Sequence, residues 1–305
     1  MKTNRHIRGV VLALIGGTAW GFSGACSQFL FARGVSALWA SAVAMALAGG
    51  ALVLYLLITR NGALRALWSN KRSVARLLLF AFAGLTLCRV TYLLAIQYSN
   101  AGTATVLQYV GPVLIVVASC FAGHRLPSAR EVIAVLFVSS GTFLLATHGN
   151  PATMALSTEG LFWGLAAAVS VALYSLLPGP LMKTYGSIPV VGSGLLIGGA
   201  TLYVATGAWN LTPDLDAGGL LAMYGGLTLL GTLLGFTAYL TAINDIGAAK
   251  ASLIASVETV SATAFAAFWL HTSFALMDLI GFVLIMATVF LLARTKDEEP
   301  AQATG

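Results

Sequence analysis

Charge is what this sequence has least of: Asp, Glu, Lys and Arg make up 9% of its 305 residues, against roughly a quarter of a soluble chain. So few ionic groups cannot build a water-facing surface, which excludes a soluble protein and leaves a membrane one. Cysteine is as sparse. Cys26, Cys88 and Cys120 stand singly inside apolar runs, which excludes a disulfide or metal framework and leaves three small buried hydrophobes. The four histidines (His6, His124, His148, His271) fall at or beyond the ends of apolar segments. Neither an aspartate pair nor a metal-spaced histidine cluster lies within a segment, so an intramembrane hydrolase lacks its base. No glycine-rich stretch has the strand-helix context of a phosphate-cradling loop, and nothing calls for a cofactor. The net charge of +6 is strung between apolar segments rather than gathered on one face, which excludes a nucleic-acid surface.

What is present is apolar length. The chain is 58% hydrophobic, with a mean hydropathy of +0.90. A window of about 20 residues predicts ten membrane helices at 9–31, 36–58, 74–97, 102–122, 131–147, 159–182, 187–208, 218–244, 248–270 and 274–294. Lys2, Arg5 and Arg8 give the first run a signal-peptide start, but it is too long for an h-region and reads as an uncleaved helix. Short connections exclude an inserted soluble domain and leave a receptor or scaffold little surface with which to bind a partner.

The basic residues set direction. Lys2, Arg5 and Arg8, the group from Arg60 to Arg76, Arg125, Arg130, Lys183, Lys250, Arg294 and Lys296 all fall on one side. The other side holds Arg33 with Asp214 and Asp216. The positive-inside rule then places both termini in the cytoplasm. Residues 297–305 read as a short disordered tail.

The chain also repeats itself. A shift of 147 residues lays Tyr92-Leu93-x-Ala95-Ile96 over Tyr239-Leu240-x-Ala242-Ile243, and His124 over His271. The same shift pairs Phe143-Leu144-Leu145-Ala146 with Phe290-Leu291-Leu292-Ala293. Apolar composition produces chance matches among Leu, Ala and Val, but not paired Tyr and His at one offset. Five helices per unit is an odd number, so the second unit enters the membrane from the opposite side. The fold class expected is all-α: ten transmembrane helices as two inverted five-helix repeats, residues 1–147 and 158–296. Inverted repeats of this kind are built for alternating access around a site near the midplane.

Ala19-Trp20-Gly21-Phe22-Ser23 resembles the Trp-Gly signature of the drug/metabolite transporter superfamily, in its EamA-type branch. Pro112-Val113-Leu114, Gly123 and Gly141-Thr142-Phe143-Leu144-Leu145 resemble that family's repeat pattern. Ala101 to Gln108 and Thr147-His148-Gly149-Asn150-Pro151 look like an inner-membrane branch associated with amino acids, amines or carboxylates. The resemblance implies export of such metabolites across the inner (plasma) membrane. The chain departs from it at three places. Gly123-His124 and Leu270-His271 replace the usual Gly-Glu, and Glu258-Thr259 replaces a Glu-Pro, which predicts a straighter ninth helix.

Two charges stand where a membrane should not hold them, Arg89 in helix 3 and Glu258 in helix 9. Each costs about 2.5–3.5 kcal/mol at a helix centre and needs a partner, water or a cavity. Arg89 is expected to hold a carboxylate or other anion, and Glu258 to hold an amine or a coupling proton. The alternative is a structural Arg89–Glu258 ion pair that never meets substrate. Helical spacing adds Trp20 and Ser23 on helix 1, Tyr92 beside Arg89, and Gln108 with adjacent Tyr109 on helix 4. Tyr174 and Tyr239 are the second half's contributions. Gly17-x-x-x-Gly21 and Gly231-x-x-x-Gly235 predict close helix contacts, and Pro178 and Pro180 predict a bend in helix 6. Trp39, Trp163, Trp209 and Trp269 are expected as interfacial anchors.

Three other functions compete with a carrier of small molecules. A passive facilitator or channel could use the same fold and cavity. Gly21-Phe22-Ser23-Gly24 resembles the Gly-x-Ser-Gly of rhomboid-type serine proteases, but no intramembrane histidine accompanies it. A scaffold finds no loops. Neither the oligomeric state nor the coupling ion is legible, and a monomer fits.

Overall fold

The computed structural model describes residues 2–111, 113–114, 126, 128–148, 150, 156–246, 251 and 254–295. Pro112, Cys120, Phe121, Gly123, His124, Arg125, Gly149, Pro151, Lys250, Lys296 and the tail 297–305 lie outside them. Every regular element among the described residues is helical. In chain order these are α1 (Lys2–Phe31), α2 (Ala37–Ile58), α3 (Gly62–Ser69), α4 (Lys71–Gln97), α5 (Ala101–Gln108) and α6 (Ala129–Thr147). The second half supplies α7 (Thr158–Leu176), α8 (Gly179–Tyr185), α9 (Ser187–Ala205), α10 (Ala217–Ile246), α11 (Val257–Phe268) and α12 (Leu276–Thr295).

Five stretches are long and apolar enough to cross a membrane: Arg5–Phe31, Ala37–Ile58, Lys71–Gln97, Ser187–Ala205 and Ala217–Ile243. A sixth follows if Thr158–Tyr174 and Gly179–Tyr185 form one span, bent by 43° where Pro178 and Pro180 sit. Shorter apolar helices cover Val132–Leu145, Val257–Phe268 and Leu276–Thr288. The long apolar helices are therefore fewer than the ten expected, and the rest of the count rests on shorter pieces.

Small polar residues start these helices by capping their free N–H groups. Asn100 accepts from the Thr103 amide at 2.8 Å, Ser157 from Gly160 at 3.0 Å and Asp216 from Gly219 at 2.7 Å. Asn61 caps α3, a short helix inside what hydropathy reads as the loop between helices 2 and 3. It buries Leu64 and Leu67 and sends the Trp68 indole N–H to the Ser193 hydroxyl at 3.2 Å.

The two halves pack as images of one another. α1 lies on α10 and α11, and in the same way α7 lies on α4 and α5. α2 pairs with α9, and α6 with α12. At the α2–α9 crossing the contact is reciprocal. A methyl group on Gly49 would strike the Leu196 amide, and one on Gly199 would strike the Ala46 amide. In the α6–α12 crossing Gly141 and Gly281 each face the other's carbonyl oxygen, at 2.9 Å from where a Cβ would stand.

Both halves also carry the same irregularities. α4 widens into a π-helix over Phe80–Thr86 and α10 over Leu221–Gly235, and these ranges overlap after the 147-residue shift. Helix 4 breaks at Tyr109–Val110, and helix 9 breaks at the equivalent Ser256. The breaks are tightened by three-residue hydrogen bonds, from Val110 N–H to the Leu107 carbonyl (3.1 Å) and from Thr259 N–H to the Ser256 carbonyl (3.0 Å). The interruption in helix 9 is thus present without a proline and carries local i→i+3 bonding. One tryptophan also departs from expectation. Trp39 is 3% exposed and belongs to the core, whereas Trp209 is 54% exposed.

Candidate functional site

Most of the site residues expected from the sequence converge between the halves. Glycine makes that convergence possible. A Cβ at Gly17 would lie 2.6 Å from the Ala255 carbonyl oxygen, and one at Gly21 would lie 2.7 Å from that of Glu258. α1 therefore presses its backbone against the break in helix 9 and holds Glu258 in the first turn of α11. Gly231 receives the Ser23 side chain, and Gly235 receives the Trp20 indole. Both small-residue stripes read from the sequence are interhelical contacts.

Around this seam the aromatic rings form a wall. Trp20 meets Phe236 at 5.3 Å edge-on and Tyr239 at 4.9 Å, while Tyr174 meets Phe236 at 5.8 Å and Phe80 at 6.2 Å. The Trp20 indole N–H and the Tyr174 hydroxyl are buried without a hydrogen-bond partner among the described residues. Such groups are expensive to leave unmet, and they offer polar contacts to whatever enters.

Arg89 and Glu258 are each 6% exposed. The Arg89 guanidinium donates to the Thr232 hydroxyl at 3.0 Å, and its Nε–H has no partner. Thr232 can accept because its own proton goes to the Leu227 carbonyl five residues back, a π-helical reach of 2.8 Å. Arg89 and Glu258 lie within electrostatic range of each other, yet no ion pair joins them among the described residues. A directly bonded structural pair is therefore not what holds these charges in this conformation.

The other predicted residues take distinct places. Tyr109 sends its hydroxyl to the Ala255 carbonyl at 3.2 Å and stands beside Glu258. Tyr239 lies close to the same carboxylate. Gln108 points its amide at the Cys88 sulfur, 3.9 Å away. Tyr92 is tied to Thr105 at 2.8 Å, and Thr105 in turn donates to the Ala101 carbonyl at 2.8 Å. Ser23 is the outlier, wedged against Gly231 in the α1–α10 seam. Sequence reading missed Thr232, Phe236 and Phe80. The available signal was spacing: Thr232, Phe236 and Tyr239 recur at i, i+4 and i+7 on α10.

No group of three or more His, Cys, Asp or Glu residues is placed to hold a metal among the described residues. The described residues bring together one buried cation, one buried carboxyl group and an aromatic wall.

The EamA-like transporter family matches the chain at residues 7–147 and again at 158–294. The uncharacterized inner membrane transporter YicL of Salmonella typhimurium is 34% identical over 290 residues, covering 94% of this chain and 95% of that protein. A solved crystal structure aligns over 98% of this chain and 100% of its own, with a TM-score of 0.61 and 16% identity. That last likeness speaks to the fold alone.

Proposed function

This chain belongs to the EamA-like transporter family, a membrane transporter rather than an enzyme, and we propose that it exports small zwitterionic metabolites by alternating access. The observation that carries this reading is the placement of Arg89 and Glu258. They come from opposite halves, are buried together and are not bonded to each other. An amino acid bridging them would meet a carboxylate partner in Arg89 and an ammonium partner in Glu258. Its side chain would lie on Trp20, Phe236 and Tyr174, with Tyr109, Tyr239, Gln108 and Tyr92 completing the surroundings. Amines and carboxylates, each using one pole, are the neighbouring substrate classes. Glu258 is also the coupling candidate, since a carboxylate that alternates between proton and ammonium links the two fluxes.

Ten spans in two inverted repeats, bounded near 1–147 and 158–296, fit the mirrored packing of α1 on α10 and α11 by α7 on α4 and α5. The two ends of α1 fit the same topology. Arg8 binds Asp245 at one end. At the other end Gln28 donates to Thr272 at 2.8 Å and accepts from the Ala101 amide at 2.9 Å. Positive residues gather at the Arg8 end, which supports a cytoplasmic location for it. The name of the YicL relative supports the inner membrane as the location, and the family resemblance supports the outward direction.

Counterflow into proteoliposomes loaded in turn with amino acids, polyamines and carboxylates tests the proposal. Saturable exchange of amino acids that responds to a proton gradient is the expected result. Unsaturable, gradient-blind flux would instead identify a passive facilitator.

A further inference from the structure

Away from the central site, a polar hollow of about 520 Å³ opens at the Arg8 end of the molecule. Its walls come from both halves and include Tyr55, Thr59 and Asn61 from the first, and Tyr185, Ser187 and Thr241 from the second. Asp245 stands in this hollow with its side chain 6% exposed. What covers the carboxylate is Arg8, itself 59% exposed, through bonds of 2.8 Å from Nε and 2.7 Å from NH2. The pair is asymmetric. One partner is fixed and shielded, while the other is a long, solvated side chain near the start of α1.

The geometry points to this hollow as an access site for ammonium-bearing solutes, with Asp245 as the acceptor and Arg8 as a displaceable cover. The inference rests on the transporter reading, because an access site matters only to something that passes through. An exposed ion pair is worth little net free energy, so a competing cation can replace it at small cost. Arg8 and Arg5 hold the Asp245 carboxyl below the usual carboxylate range, chiefly through the Arg8 hydrogen bonds. It is therefore ionised at neutral pH and can receive a cation. Tyr55 is 57% exposed on the wall, and an aromatic ring is a favourable neighbour for an ammonium. Leu56 lines the hollow and is buried, and Leu52, Val190 and Leu240 belong to the same buried cluster as Phe80, Tyr174 and Phe236 of the aromatic wall. A solute held at Asp245 would sit at the Arg8 end of the molecule, away from Arg89 and Glu258.

Arg8 and Asp245 should then act in opposite senses, whereas a purely structural ion pair would make their removal equivalent. The full chain in nanodiscs, with its own cysteines replaced by alanine and Thr59→Cys added, allows a direct measurement. The rate of thiol labelling is followed while n-butylammonium is titrated in as protectant. The expected result is protection in the parent, about tenfold tighter protection in Arg8→Gln, and loss of protection in Asp245→Asn but not in Asp245→Glu. Protection that survives Asp245→Asn, or Arg8→Gln and Asp245→Asn shifting it the same way, would overturn the inference. The labelling needs no transport, so a failure of counterflow and a failure of this site are separate results.

Discussion

The two halves of the molecule share one backbone and divide the chemistry between them. Shifting by 147 residues lays Arg89 on Phe236, and Gly111 on Glu258. Where the first half carries its buried cation, the second carries a ring of the aromatic wall. Where the second half carries its carboxylate, the first has a glycine, whose missing Cβ leaves room for the Ala168 carbonyl oxygen, 2.7 Å from where that Cβ would stand. Tyr92 and Tyr239 are equivalent in position, yet one is tied to Thr105 and the other faces Trp20 and Glu258. The symmetric features, the π-helical stretches and the breaks at Tyr109 and Ser256, belong to the shared scaffold. On the proposed reading, the asymmetric ones would give a bound molecule a head and a tail.

Breaking the asymmetry is expected to have the largest effect. Glu258→Gln or Arg89→Gln each leaves one buried charge without its counterpart, worth about 2–5 kcal/mol or roughly thirtyfold and more in exchange rate. Arg89→Phe goes further and makes the halves alike. It is expected to abolish amino-acid exchange while raising the melting temperature, since it removes a membrane-buried charge costing about 2.5–3.5 kcal/mol. Counterflow and thermal unfolding of the same preparation check both signs. Next comes Thr232→Val, which removes the hydroxyl that orients Arg89. A hydrogen bond to a charged group is worth about 1.5–3 kcal/mol, so KM for carboxylate-bearing solutes should rise about tenfold or more. Exchange of simple amines should change little.

The shared scaffold gives smaller and more even effects. Gly49→Leu and Gly199→Leu overpack one reciprocal crossing, so their losses of thermal stability should agree, at about 1–3 kcal/mol each. A large difference between them would show that the α2–α9 contact is not reciprocal. At the small end stands His148, whose ring nitrogen lies 2.9 Å from Asp278 at an exposed site. His148→Ala should shift stability by no more than about 1 kcal/mol.

Much of this was legible before any coordinates. Trp20, Arg89 and Glu258 announce themselves as polar or aromatic residues in apolar runs. The stripes Gly17–Gly21 and Gly231–Gly235 announce close contacts that the structure places against Ala255, Glu258, Ser23 and Trp20. The π-helical stretches were not legible, because a widened turn uses the same apolar residues as an α-helix. Their trace is the five-residue reach of Thr228 to the Met223 carbonyl and of Thr232 to that of Leu227, which only coordinates reveal. Thr232 and Phe236 escaped notice because neither is unusual in a membrane helix. Trp39 misled because a tryptophan near a segment end resembles an anchor, and only tertiary packing buries it. The break in helix 9 was hidden for a similar reason, since no proline marks it and the helix is interrupted at Ser256.

The most direct test of the account is amino-acid counterflow measured against matched one-charge analogues, an amine and a carboxylate of the same side chain. The wild type should exchange the zwitterion best. Glu258→Gln should lose the amine and keep the carboxylate, and Arg89→Gln should do the reverse. If both variants discriminate among the three solutes as the wild type does, Arg89 and Glu258 do not hold the two ends of the substrate and the division of labour between the halves is wrong.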